Sequence, residues 1–344
     1  MLTPDQHLPH HPGMHRRRFL LTSMAGAFAA PLAAGAQAAR RSPRVGIVLA
    51  SAPLPTMAGP EPAQIVMRGF IHGLRALGYV DGQNISIERR SSEGVPERQE
   101  DLILGLAQIP VDVIVVPTNR MALLAKKITS TVPVVALMDA PVESGIVQSL
   151  ARPGGNVTGL TLAGDVPGGK RLEIVRQVLP KGSRIAFLGR KEEWSSQEGQ
   201  ALRGAARSLG LTLFLADVQM PLLGPALERL DRQRVDGLFV SADPVFFVHV
   251  KQIADFAARL RVPDFHLYAH AVEAGGFASY GHDAYDLFRR AAGFVDRILK
   301  GTNPREMPVE QVERYALVLN LKTARSLGLT IPQSVLQRAD RVIE

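Results

Sequence analysis

Short apolar runs alternate along this chain with longer stretches in which apolar residues recur every three or four positions. Residues 45–49 form an apolar run bounded by Pro43 and by a Ser/Pro/Gly-rich stretch at 51–62. A run this short, closed by turn residues, predicts a strand buried on both faces. Residues 63–77 carry Ile65, Met67, Phe70, Ile71 and Leu74 at helical spacing, and Gly78 ends the pattern, which predicts an amphipathic helix. Residues 84–89 alternate as a strand does; 96–108 and 120–128 have helical periodicity, and 111–116 and 134–137 are again short apolar runs. Strands alternating with helices predict a parallel sheet covered on both faces.

The pattern then recurs. RVGIVLA at 44–50 has a counterpart in RIAFLGR at 184–190, and the helix after each closes in Leu-Gly, at Leu77-Gly78 and Leu209-Gly210. Val111-Asp112 introduces VIVVPT as Val235-Asp236 introduces GLFVSAD, and Val132-Pro133 precedes VVALMD as Val262-Pro263 precedes DFHLYAH. Four landmarks in one order, offset by roughly 125–140 residues, are too far apart for a solenoid repeat of about 20–50 residues. They predict an α/β chain of two similar Rossmann-like lobes with parallel sheets. Residues 151–159 (ARPGGNVTG) form a turn-rich boundary, and the second lobe begins near Gly168. Residues 275–281 (GGFASYG) are an extended segment suited to crossing back. A long helix at 284–300 stops at Gly301, 315–319 is a last strand, and 322–327 a closing helix before Gly328. The expected division is 44–160 plus about 275–312 for lobe one, and about 163–272 plus about 313–344 for lobe two. Several crossovers between lobes make a hinge, and the cleft between lobes is the preferred place for a ligand.

The start of the chain bears on compartment. Arg16, Arg17 and Arg18 precede a small-residue apolar stretch ending in Ala34-Gly35-Ala36, the pattern of a cleaved export signal over 1–36. Arg16-Arg17-x-Phe19-Leu20 resembles the twin-arginine motif, and the expected location is the periplasm. The chain has no cysteine, which excludes disulfides and a lipid-anchored cysteine. Net charge is +8; residues 1–36 hold three arginines and one aspartate, so +6 remains without them. The basic residues form neither a patch nor an aromatic-interleaved stripe, so nucleic-acid binding is not expected. His7, His10, His11 and His15 all lie upstream of the expected cleavage point, and no metal or other cofactor is expected.

RGFIHGLRALGYVDGQNISIERR, LARPGGNVTGL, GKRLEIVRQVLP, VEAGGFASYG, DLFRRAAGFVDRILKGTNP and LVLNLKTARSLGLTIPQSVLQRADRVIE closely resemble segments of the ABC-transporter substrate-binding protein family that includes tryptophan/tyrosine-type binders. The resemblance runs from about Arg44 to Glu344. It implies a type I periplasmic-binding-protein-like fold. It also implies a monomer that binds a small-molecule ligand and delivers it to a membrane permease and its ATPase. Ser51-Ala52-Pro53-Leu54-Pro55 and Gly189-Arg190-Lys191-Glu192-Glu193-Trp194 depart from the family pattern, both near where ligand is expected.

In doubly wound sheets ligands sit outside the carboxyl ends of the strands. That rule selects Ser51, Thr118, Asn119 and Asp139 in lobe one, and Arg190, Asp243, Tyr268 and Glu273 in lobe two. Thr118 and Asn119 precede a helix, so they either hold an anion with the free N–H groups or cap the helix. Asp139 and Asp243, taken as ends of matching strands, either meet a ligand ammonium or hydrogen-bond within a loop. Arg190 either grips a carboxylate or is a solvated loop residue, and Trp194 either stacks on a ligand or packs on its lobe. An amino acid or related carboxylate fits the helix terminus and the aspartates; an aromatic or purine-like ligand fits Tyr268, Tyr280 and Trp194. Gly164-x4-Gly169-Lys170 lacks the Ser/Thr of a phosphate loop, having Arg171 instead, and neither G-x-S-x-G nor H-E-x-x-H occurs. A binding protein without catalysis is the main expectation. A periplasmic ligand-sensing subunit or a Rossmann-like enzyme is the alternative.

Overall fold

The computed structural model describes residues 41–162, 168–219 and 223–344; the expected export signal at 1–36 and Gly164 of the phosphate-loop-like stretch lie outside them. The first lobe opens with β1 (Arg44–Leu49), α1 (Ile65–Ala76), β2 (Ser86–Ser91), α2 (Arg98–Ala107), β3 (Val113–Val116), α3 (Asn119–Ile128), β4 (Val134–Asp139) and β5 (Val157–Leu162). The second contains α4 (Gly168–Val178), β6 (Arg184–Gly189), α5 (Lys191–Ser195), α6 (Gln197–Ser208), β7 (Thr212–Asp217), α7 (Leu223–Asp231), β8 (Gly237–Val240), α8 (Val250–Leu260), β9 (Asp264–His266), α9 (Ala269–Glu273) and β10 (Ala278–Gly281). Then come α10 (Ala284–Leu299), β11 (Glu310–Val312), β12 (Ala316–Asn320), α11 (Leu321–Ser326), α12 (Gln333–Leu336) and β13 (Arg341–Ile343).

The strand orders are β2-β1-β3-β4-β5-β11 and β7-β6-β8-β9-β10-β12-β13. Their first five strands correspond one to one, so the duplication is topological as well as sequential. The ladders are parallel except where β12 runs antiparallel to β10. The Val-Asp landmark has the same role in both halves. The Asp112 carboxylate accepts the Arg44 N–H at 2.6 Å, and the Asp236 carboxylate accepts the Arg184 N–H at 2.7 Å. Each aspartate thereby closes the open end of the first strand of its lobe.

One core of the first lobe lies between its sheet and the helix pair α1 and α10, with Phe70, Leu74, Phe288 and Phe294 buried in it. Glycine sets the spacing of that pair: a Cβ on Gly69 would stand 2.3 Å from the Tyr285 carbonyl oxygen, so only a residue without one allows the approach. A second core under α2 and α3 covers the other face. The second lobe repeats this sandwich, with Phe187, Phe239 and Phe277 buried on one face and Leu230, Phe246 and Phe256 on the other.

Two segments differ from the sequence expectation. Residues 275–281 do not cross between lobes: β10 pairs with β9 and β12 in the second sheet, so the crossing falls at His282 and Asp283. The reason is pairing; Ala278 and Ser279 complete ladders that a flexible connector would leave open. Likewise, the turn-rich stretch 151–159 runs into β5, six residues paired with β4 in full register. Gly159, the last residue of that stretch, is a strand residue with φ 138°, and a Cβ there would lie 2.1 Å from the Ala136 carbonyl oxygen. The chain therefore changes sheet after β5, after β10 and after β11.

Candidate functional site

The carboxyl ends of both sheets face a cleft of about 260 Å³ between the lobes. Its apolar lining comes from both sides: Leu137 and Leu162 at strand ends of lobe one, Leu287 and Phe288 from α10, and Phe247 and Leu267 from lobe two. Phe247 packs edge-on against Tyr268 with ring centroids 5.1 Å apart, and both rings touch the lobe-one core. The Ser51 hydroxyl donates to the Pro244 carbonyl at 2.7 Å, a direct hydrogen bond from one lobe to the other.

The polar lining is concentrated on lobe one. Gln64, as N-cap of α1, accepts the Val66 N–H at 3.0 Å. Thr118, as N-cap of α3, accepts the Met121 N–H at 3.2 Å. The N-terminal end of α3 carries free N–H groups and the positive end of the helix dipole. The Asn119 amide nitrogen donates to the Asp139 carbonyl at 2.6 Å and to Ser144 Oγ at 3.1 Å, and its oxygen accepts the Asp139 N–H at 2.8 Å. That clamp fixes the end of β4, where Ala140 follows with φ 40°, an uncommon conformation for a residue with a Cβ. Asp139 is the one charged side chain among the described residues that line the cleft.

The sequence-selected residues thus divide. Ser51, Thr118, Asn119, Asp139 and Tyr268 line one cleft; Arg190, Asp243 and Glu273 do not. Asp243 is not the counterpart of Asp139. It follows β8, which corresponds to β3, so it occupies the position of Thr118 and likewise caps the next turn, accepting the Val245 N–H at 3.0 Å. Its carboxylate also forms an ion pair with Arg190, which turns both charges toward each other. Glu273 closes α9 and pairs with Arg341 at 2.5 Å, in a second cavity that His282 and Asp283 also border. Trp194 packs: its ring meets Phe187 at 5.6 Å and lies under the Arg203 guanidinium at 4.6 Å.

Behind the lobe-two wall lies a charged cluster that sequence reasoning missed, because its members come from α4, α5 and the ends of β8 and β9. Arg171 is 3 % exposed. It donates to the Phe265 carbonyl at 3.0 Å and to that of Val240, and its guanidinium sits 4.0 Å over the Phe239 ring. Burial pushes it down to about 9. The half-buried Glu193 accepts a hydrogen bond from Ser241, and burial raises its carboxyl above the ordinary range. Ser241 Oγ in turn accepts the Asp243 N–H at 2.9 Å. Burial also pushes the Tyr268 phenol up to about 12, so it remains a protonated donor. This cluster fixes the 241–244 turn that carries Pro244. The apolar contribution of α10 was also missed, although its Leu287 and Phe288 stand in the amphipathic pattern that predicted the helix. Among the described residues no group of three or more His, Cys, Asp or Glu is arranged to hold a metal ion. No described helix is long and apolar enough to cross a membrane.

A cleft between two topologically matched lobes, apolar inside and polar on one wall, is suited to holding a small molecule. Comparison with known proteins agrees. A family model described as ABC transporter substrate binding protein matches residues 59–343. A tyrosine-binding protein of Clostridioides difficile is 24% identical over 266 residues, covering 76% of each chain. Among solved structures, an ABC domain from Streptococcus pneumonia in complex with L-Trp is similar at 25% identity with a TM-score of 0.73, over 88% of this chain and 100% of that one. A conserved domain protein from Vibrio cholerae is similar at 25% identity with a TM-score of 0.74, over the same shares.

Proposed function

Since the chain belongs to the ABC transporter substrate-binding protein family, we propose that it captures an amino acid with an apolar or aromatic side chain between its lobes and delivers it to the permease and ATPase of an importer. The observation that carries this reading is the polarity of the cleft: one carboxylate, Asp139, beside a helix N-terminus on the polar wall, with the apolar Leu287 and Phe288 of α10 and Phe247 and Leu267 of lobe two also in the lining. A zwitterion matches that pairing. Its ammonium meets Asp139, and its carboxylate meets the Thr118 hydroxyl and the N–H groups at the start of α3. The side chain then extends toward Phe247, Leu287 and Phe288. A volume of about 260 Å³ suits a solute smaller than the drug-sized ligands that occupy roughly 300–1,000 Å³. The tyrosine-binding and L-Trp-bound relatives support an aromatic side chain.

Ligand touching both walls favours the closed arrangement by its differential affinity, and three crossings between sheets supply the hinge. Closure adds the Ser51–Pro244 hydrogen bond. In this reading residues 1–36 export the chain to the periplasm by the twin-arginine route, and it acts there as a monomer. The test is calorimetric titration of L-tyrosine and L-tryptophan into purified protein, with Asp139→Asn alongside and mass spectrometry of any ligand retained through native purification. Binding of either amino acid unchanged, and its loss in Asp139→Asn, supports the reading. A retained ligand without an ammonium group, or a chemically converted amino acid, overturns it.

A further inference from the structure

His282 lies in the second crossing, between β10 and α10, and is 3 % exposed. Its Nδ1 is 3.0 Å from the carbonyl oxygen of Arg314, which lies in the third crossing, between β11 and β12. A carbonyl only accepts, so Nδ1 carries the proton and the neutral ring has its lone pair on Nε2. The ring packs on Tyr315 with centroids 4.2 Å apart and planes tilted by 35°, and Tyr315 stacks in turn on Tyr280 at 5.7 Å. One imidazole therefore ties two of the three interlobe connections together. Nε2 is buried and meets no hydrogen-bonding group among the described residues.

We infer that His282 is a positioning residue of the hinge, whose neutral imidazole pins the second crossing to the third in the closed arrangement and whose protonation releases it. This rests on the hinge reading above. A second proton places a cation on a buried nitrogen without an acceptor, which is costly. The surrounding charges do not offset it. Arg290 of α10 acts on the ring as a like charge. The adjoining hinge-side cavity of about 440 Å³ is bordered by His282, by Arg68 of α1, by His270 and Glu273 of α9, and by Asp283, Asp340 and Arg341. Glu273 is paired with Arg341, Asp283 accepts the Tyr285 N–H at 2.9 Å, and Asp340 accepts the Leu317 N–H at 2.8 Å. Burial, foremost, holds the His282 imidazole below its ordinary 6.5, the Arg314 carbonyl opposing and Arg290 adding to the effect. For a base depressed in the closed form, that form is fully favoured above 6.5. The preference is lost as pH falls below that value, because the open form binds the proton more readily.

The chain has no cysteine, so spin labels can be placed on cysteines introduced at Lys127 of lobe one and Lys251 of lobe two, with side chains 72% and 68% exposed. Interlobe distances are measured by pulsed electron resonance at pH 8 and pH 5 without added ligand. The expected result is a growing long-distance population at pH 5, absent in His282→Asn, whose amide still donates to the Arg314 carbonyl but does not titrate. Arg290→Gln removes the facing cation, eases protonation in the closed form and so shrinks the long-distance population at pH 5, giving a second arm if the Asn variant does not fold. No change with pH in the parent, or the same change in His282→Asn, overturns the inference. His270, which also titrates, would then be the alternative source. L-Tryptophan added at pH 8 separates the two claims. If it shortens the distances while pH does not lengthen them, the hinge reading stands and the His282 role falls; if neither has any effect, the hinge reading falls too.

Discussion

Replacing Asn119 with alanine tests how the site holds its one charge. The side chain makes three hydrogen bonds, two of them to the backbone N–H and C=O of Asp139 at 2.8 and 2.6 Å. Each is worth roughly 0.5–1.5 kcal/mol net, and both groups reach solvent once released, so the lower end applies and the stability loss is about 1 kcal/mol. The turn they hold contains Ala140 at φ 40°, a conformation that costs about 1–3 kcal/mol when unsupported. Without the clamp the turn relaxes and the Asp139 carboxylate leaves its place. Asp139→Ala removes a hydrogen bond to a charged group, about 1.5–3 kcal/mol, or roughly ten- to a hundredfold in amino-acid affinity. Asn119→Ala should reproduce part of that loss, about three- to tenfold, by mispositioning Asp139. A double-mutant cycle by calorimetry decides the matter. If Asn119 acts only through Asp139, it has no further effect on affinity in the Asp139→Ala background. Losses that add to within about 0.3–0.5 kcal/mol would refute the clamp as the route, as would an unchanged affinity in Asn119→Ala alone.

Phe247→Ala deletes a ring that packs on Tyr268 and the lobe-one core, so affinity for L-tryptophan should fall by about tenfold or more, from the roughly 1.5–3 kcal/mol of burying such a side chain; undiminished binding would move the apolar end of the site elsewhere. Arg190→Ala should change affinity by no more than about fivefold, since the pair with Asp243 is partly solvated and such pairs are worth about 0–1 kcal/mol; a hundredfold loss would return Arg190 to the ligand. Gly159→Ala should lower thermal stability by more than about 1 kcal/mol, because the backbone conformation disfavours a Cβ; a melting curve matching the parent would show that β4 and β5 are not held as close as described.

The sequence by itself determined the architecture, because burial imposes a period on each element and the chain imposes it twice. Apolar runs of four to six residues between amphipathic helices admit few arrangements, and recurring Val-Asp and Leu-Gly landmarks mark strand starts and helix ends in both halves. Strand ends were therefore legible, and with them Ser51, Thr118, Asp139 and Tyr268. What a side chain faces after it leaves a strand end was not. Asp139 and Asp243 look equivalent in one dimension, yet one lines the cleft and the other caps a turn and meets Arg190, because strand order and not sequence distance sets which positions correspond. Segment 275–281 has the composition of a connector, and only pairing with β9 and β12 makes it a strand. Arg171, Glu193 and Ser241 are far apart in the chain and ordinary in isolation; tertiary packing brings them behind one wall and removes them from water. The same holds for His282 and Arg314, 32 residues apart. Local propensity is written in neighbours along the chain, whereas the partner of a buried polar group is chosen by the fold that buries it.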